Sequence, residues 1–361
     1  MAATADVRRF PCEACGAELT FDVGAQSLAC PHCGHKRELG FSNDAPIIER
    51  DLNAMLGKLA TMRGNAPLAP GRREFTCNGC AATIVFEASS TSDKCAFCGA
   101  AVVDAAVHEA LERINVSGVL PFGVTKQAAS ENLRSWVASR WFAPGEFKRY
   151  GVTGKFNGIY LPYWTFDAMT DNRYRGERGD HYTVRVGSGK DARTETRTRW
   201  THAAGSFRRF FDDVLVCAAG DAKQKLLMAL EPWPLEKMVP FTPDALSGYH
   251  AMTYDQTLET GFVAAKERID RVLYTDVCGR IGGDTQRVHS IDTQMSALTF
   301  KHVLLPVWML AYKYGDKSYQ VMVNAGTGEV QGERPYSPWK IAFAVFMALM
   351  VALVVYGVSQ R

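Results

Sequence analysis

Cysteine is almost absent after the first hundred residues. Eight of the ten cysteines lie before position 100, and only Cys217 and Cys278 follow. Two isolated thiols cannot form the dense disulfide framework of a small secreted fold, and they read as small buried apolar residues. The chain also opens without an apolar run, since Met1 to Arg9 holds nothing like a signal-peptide core. Charge of one sign is missing too. A net charge of +3 over 361 residues selects no partner.

Catalytic signatures are equally scarce. There is no H-E-x-x-H and no G-x-S-x-G. Gly118 to Thr125 has the glycine spacing of a phosphate loop, but Val124 stands where the phosphate-contacting lysine belongs. Asp212-Asp213 has no histidine nearby in sequence and reads as a loop cap. His289 and His302 stand alone, and Gly282-Gly283-Asp284 reads as a turn. These absences point away from an enzyme.

What is present is concentrated at the front. Cys12, Cys15, Cys30 and Cys33 form C-x2-C-x14-C-x2-C, and Cys77, Cys80, Cys95 and Cys98 repeat it 65 residues later. Arg8 and Arg73, Phe10 and Phe75, Phe21 and Phe86, and Gly34 and Gly99 match at the same offset, so one small module is duplicated. A C-x-x-C turn offers two thiolates from one tight knuckle, and two knuckles complete a tetrahedral Zn2+ site. Four thiolates leave no open position for water, so each of the two ions is expected to be structural, with the metal supplying the folding energy of its module. Disulfides, a redox dithiol and an iron–sulfur cluster are the rival readings of the thiols. His32 and His35 read as loop residues beside the first completed site. Phe21 and Phe86 are expected to pack beneath the metals.

The cysteine-rich stretch is not basic. Met1 to Asp104 carries 10 Lys and Arg against 12 Asp and Glu, a net of −2. Nucleic-acid affinity is largely phosphate neutralisation by cations, so these modules are poorly equipped for it. A basic stretch comes later. Arg173 to Arg209 holds ten Lys and Arg against four acids. Thr194 to Thr201 alternates with period two, as a half-exposed strand does. Its cations suit a solvated sheet face, an acidic lipid surface or nucleic acid.

The expected domains follow from these breaks. The first zinc ribbon covers 8–40, a helix and linker 41–72, and the second ribbon 73–104. An α+β, mainly antiparallel domain covers 105–335. In the linker region Ile48, Leu52, Met55, Leu56 and Leu59 fall on one helical face, expected to pack on its own ribbon. In the large domain the pattern predicts a helix over 125–142, with Leu133, Trp136, Val137 and Trp141 inward. It predicts strands over 159–168 and 303–314, and a long helix over 255–278 with Leu258, Phe262, Ala265, Ile269 and Val272 inward. Leu161-Pro-Tyr-Trp164 and Leu305-Pro-Val-Trp308 resemble each other, which suggests two related halves.

Ile341 to Val358 is eighteen residues without a charge. At 1.5 Å per residue it is about 27 Å long, enough for a hydrocarbon core. Trp339 and Tyr356 sit near its two ends, where interfacial aromatics occur. The expectation is one transmembrane helix over 339–358, a tail anchor with the bulk of the chain in the cytoplasm.

Three segments carry a family likeness. They are Gly282 to Val288, Phe300 to Trp308 and Tyr319 to Pro335, joined by Tyr160 to Asp167 and Pro240 to Asp244. Over most of residues 75–361 the chain resembles bacterial membrane-anchored zinc-ribbon proteins, which often carry a replication-restart helicase-like label. Some such proteins partner phage-shock and flotillin-like proteins. The resemblance implies a scaffold at the bacterial inner membrane, with phage-shock or flotillin-like partners and no known chemistry. The alternative is a membrane-tethered nucleic-acid-binding protein using Arg173 to Arg209.

Overall fold

The computed structural model describes residues 11–38, 46–62, 68–76, 83–87, 108–111, 114–145, 157–187, 192–219, 224–314 and 317–359. It is a mixed α+β structure with mostly antiparallel sheets. Three short strands open it: β1 (Thr20–Asp22), β2 (Ser27–Ala29) and β3 (Lys36–Glu38). Next come β4 (Arg50–Asp51) and α1 (Leu52–Met62). A second small sheet follows, made of β5 (Leu68–Thr76), β6 (Thr83–Glu87) and β7 (His108–Leu111).

The remaining elements build one large sheet and its cover. In order they are β8 (Gly118–Val119), α2 (Lys126–Ala138), β9 (Asn157–Val186), β10 (Arg193–Cys217), α3 (Gln224–Met228), β11 (Val239–Pro240) and β12 (His250–Ala251). Then come α4 (Leu258–Ile281), β13 (Thr285–Tyr314), β14 (Lys317–Asn324), β15 (Val330–Gly332) and α5 (Pro338–Ser359). The sheet runs β10-β9-β13-β14-β15. Both faces of its middle are covered, which is why Ile159 to Ala168 and Phe300 to Leu310 are buried almost without a break. Leu161, Tyr163, Leu305 and Val307 pack on one side with Leu227 and Trp233. Trp164, Phe166 and Phe300 pack with α4 on the other.

The two Leu-Pro segments lie side by side, antiparallel, with Leu161 opposite Leu305. Around that pair the same parts recur. β8 joins β13 in parallel at Val303 and Leu304, and β12 joins β9 in parallel at Ile159 and Tyr160. Each short strand leads to a helix capped by threonine. Thr125 Oγ1 accepts from Ala128 N at 3.2 Å, and Thr257 Oγ1 accepts from Thr260 N at 3.3 Å. Trp308 Nε1 donates to Val124 O at 2.8 Å and Trp164 Nε1 donates to Gln256 O at 3.0 Å, each just ahead of a cap. Phe122 and Tyr254 repeat as the aromatic neighbours of those two tryptophans.

The halves differ in length. α4 has 24 residues against 13 in α2, and β9 runs on far beyond the core. Residues 171–186 and 193–209 form a projecting ribbon, about 50 Å long at the usual rise, joined by 285–295 as a third strand as far as Gly179. α4 covers its near end. The inward residues of α4 are Leu258, Gly261, Ala265, Ile269, Leu273, Val277 and Ile281, while Val272 is exposed, unlike the sequence expectation. The buried stripe advances by fours and so turns slowly about the helix, following the twist of the sheet beneath it. Gly261 lets Trp164 seat under the first turn, where an added Cβ would meet Trp164 Cδ1 at 2.7 Å. Gly261→Ala should therefore cost about 1–3 kcal/mol despite alanine's better helix propensity. A thermal melt at or above the wild-type midpoint would refute that packing argument.

Three further expectations are corrected. α1 packs on the large sheet, not on the first cysteine module, with Leu52, Met55, Leu56 and Leu59 against the Trp164–Phe300 cluster, and Ile48 is exposed. The helix predicted over 125–142 ends at Ala138, where Ser139 N bonds Ser135 O and the chain turns away. Trp141 lies past that end and is 66% exposed. Asp212-Asp213 is no loop cap but part of a bulge in β10, with Asp213 at φ 48.

Candidate metal centre

Cys12 and Cys15 lie ahead of β1, and Cys30 and Cys33 lie between β2 and β3. Two matching knuckles present them. In the first, Gly16 N bonds Cys12 O at 2.8 Å and Cys12 N bonds Ala17 O at 2.7 Å. In the second, Gly34 N bonds Cys30 O at 3.0 Å and Cys30 N bonds His35 O at 2.8 Å. Each turn closes on a left-handed residue, at φ 71 for Gly16 and 74 for Gly34, where glycine is the residue without strain.

The four Sγ atoms lie within 4.8 Å of one another. Cys12 and Cys33 are 3.6 Å apart and Cys15 and Cys30 are 3.5 Å apart. A disulfide needs about 2.05 Å, so these thiols are not paired covalently. Thiolates each about 2.3 Å from a common centre stand about 3.8 Å apart at the corners of a tetrahedron, close to the spacing found. Backbone N–H groups point at the sulfurs as well. Donation from Cys33, opposed by burial and supplemented by His32, lowers the Cys30 thiol to about 6. His35 N–H would lower Cys33 likewise, but the three neighbouring cysteines and burial push it up to about 12. Crowded thiols resist sharing negative charge, and a divalent cation at the centre would remove that conflict. The residues present fit a four-coordinate metal ion.

His32 is exposed, and neither it nor His35 belongs to the cluster. Cys77, Cys80, Cys95 and Cys98 lie outside the described residues, so the geometry concerns one site.

The module is docked rather than free. Leu19, Phe21 and Leu28 are buried in a cluster shared with Phe122, Tyr160 and Trp308. Phe21 meets the edge of Tyr249 at 6.3 Å, and Tyr249 stacks on Phe122 at 3.9 Å. Ser247 Oγ, fully buried, donates to Leu19 O at 2.7 Å, and Arg37 pairs with Asp244 at 3.2 Å.

A second titratable cluster was not visible in the sequence. Carboxylate oxygens of Asp167, Asp212 and Asp213 approach one another within 4.8 Å. The Lys301 ammonium already fills this neighbourhood, 2.7 Å from Asp213, 3.1 Å from Glu49 and 3.8 Å from Asp167. The Asp213 contact lacks hydrogen-bond alignment and is charge against charge. Burial alone would lower the Lys301 pKa, but Asp213, then Asp167 and Glu49, raise it above the ordinary lysine value. His302 is a core residue, its ring 4.8 Å from Trp164 and its Nδ1 3.0 Å from Ile114 O.

At the other end, Pro338–Tyr356 is long and apolar enough to cross a membrane, and none of it is buried against the rest of the chain.

Comparison with curated proteins finds an uncharacterized Bacillus subtilis (strain 168) protein, YdjG, 28% identical over 233 residues. The match covers 62% of this chain and 65% of that protein, so the chain spans less than two thirds of the relative's length. No family model and no solved structure matches.

Proposed function

We propose that the chain is a non-enzymatic, zinc-binding adaptor held at the bacterial inner membrane by α5, with its bulk in the cytoplasm. In this reading Cys12, Cys15, Cys30 and Cys33 hold one structural Zn2+ and Cys77, Cys80, Cys95 and Cys98 hold a second. The observation that carries it is the closed four-sulfur site. Four thiolates saturate the ion and leave no position for a substrate or an activated water. The metal's work would be to hold the module against Tyr249 and Phe122, and the assembled surface would then serve protein partners. The family resemblance supplies flotillin-like or phage-shock proteins as those partners.

Deletion of residues 338–361 should move the protein from the membrane pellet to the soluble fraction, and it should keep its zinc. A full-length protein that is soluble after cell breakage would end the anchor reading. Affinity purification in mild detergent should then recover flotillin-like or phage-shock proteins at near-stoichiometric yield.

A nucleic-acid-binding role for Arg173 to Arg209 is the weaker reading. Arg178, Arg193, Arg197, Arg208 and Arg209 each pair with a carboxylate, so much of the positive charge is compensated. Arg287 from β13 stacks on Trp200 at 3.8 Å and pairs with Glu177. Such binding would fall steeply with salt, and a titration without binding at low salt removes it.

A further inference from the structure

The apolar helix does not stand alone at its base. Ser337 N donates to Phe142 O at 2.8 Å. Lys340 Nζ donates to Trp141 O at 3.1 Å and to Ala143 O at 2.9 Å, and it lies 5.9 Å from the Trp141 ring centre. The loop after α2 is thereby fixed beside the first turn of α5, although about 200 residues separate them in sequence. Four large aromatic residues lie in the segments joined there and are exposed: Trp141 at 66%, Phe142 at 37%, Tyr336 at 57% and Trp339 at 81%. Indole and phenol rings favour the headgroup layer, where one edge is apolar and the other wet. Lysine carbons reach along such a layer while the ammonium stays polar, which is the posture of Lys340.

We infer that Trp141 and Phe142, locked to α5 through Lys340, form a second membrane contact that enters the interfacial layer beside Trp339 and fixes the orientation of the large sheet on the bilayer. This rests on the reading of α5 as a membrane span. The occupant is the lipid interface, because the Trp141 and Phe142 carbonyls are bonded to Lys340 and Ser337 and so lie at the level of the first turn of that apolar helix. Helix α5 has 22 residues, about 33 Å, and the hydrocarbon core is about 30 Å, so its first turn falls at the boundary. Attachment at two points would restrain the domain from swivelling about the span. It would set the direction in which the cysteine module and the projecting ribbon face the cytoplasm.

The test is quenching of tryptophan emission by phosphatidylcholine brominated near the headgroup, with the full chain reconstituted in vesicles. The chain has seven tryptophans. With Trp141 and Trp339 both in the interface and equal yields, the quenchable share is about two sevenths, and Trp141→Phe should lower it to about one sixth. Were Trp141 in water or under a protein partner, the same substitution would remove an unquenched emitter and the share would rise, which overturns the proposal. Trp339→Phe is the separate control on the span. If it lowers quenching while Trp141→Phe does not, the span stands and the second contact falls. If the wild-type chain shows no quenching, the span itself is wrong and the contact goes with it. Phenylalanine at an exposed site keeps the aromatic surface, so folding is not at stake.

Discussion

Cys30→Ser should release one of two zinc equivalents per chain, and Cys95→Ser should release the other. The first loss should also loosen residues 11–38 from the large sheet. The argument is one of size. β1, β2 and β3 have three residues each, and Leu19, Phe21 and Leu28 are the large apolar side chains that this module buries. Each contributes about 1.5–3 kcal/mol, which does not hold so short a segment in one conformation. A structural zinc site supplies about 10–16 kcal/mol in isolated peptides, and a serine in place of one thiolate forfeits much of it.

Loss of the module would uncover the Tyr249 and Phe122 rings and the neighbouring Trp308, so tryptophan emission should shift to the red and protease should cut between 11 and 38. Metal analysis after gel filtration gives the count. Two equivalents retained in Cys30→Ser would defeat the site as drawn. Ser247→Ala separates docking from metal binding. It leaves the zinc count at two and strands the buried Leu19 carbonyl, a loss of about 1–3 kcal/mol.

The cysteine site was legible because its geometry is local. A C-x-x-C turn with a following glycine fixes each knuckle, whatever surrounds it. The starts of α2 and α4 fall within three residues of the expected 125 and 255, because each helix opens an amphipathic run. The apolar length of α5 speaks for itself. The docking of the module was hidden, because the Leu19–Ser247 contact spans 228 residues. The length of β9 was hidden as well. Its residues past Asp171 are mostly charged or polar and lack apolar alternation, since the projecting ribbon has solvent near both faces. Trp141 was misplaced because periodicity carries no stop signal, whereas the chain leaves the helix at Ser139. Lys301 was invisible for the opposite reason. Adjacent polar residues such as Lys301 and His302 point to opposite faces and read as solvated, and this sheet is dry on both.

That buried lysine supports the second large effect. Lys301→Met should destabilise the large domain by about 3–5 kcal/mol at pH 8, because Asp167 and Asp213 would keep their charges without the ammonium between them. The pH dependence identifies the cause. In the wild type the raised Lys301 pKa contributes stability that is full below pH 10.5 and is lost as pH rises past the folded value. Glu49 is held below its ordinary 4.5, because its bonds to Lys301 outweigh burial, so its contribution is present above that pH and is lost in acid. Asp167 is the reverse case. Burial raises it above 3.8 against the Asp213 N–H and Lys301, so it opposes folding at neutral pH and is relieved as the pH falls.

Removing the ammonium drives Asp167 up further, and the deficit in Lys301→Met should therefore shrink between pH 8 and pH 5 as Asp167 takes up a proton. Urea unfolding at the two pH values, followed through the near-ultraviolet signal of the sheet, measures it. A deficit that is equal at both would assign the loss to packing of the lysine stem and not to charge. The triple variant Lys301→Met, Asp167→Asn, Asp213→Asn should recover most of the stability, because a neutral network leaves no buried charge unpaired, and asparagine tolerates the left-handed backbone at position 213.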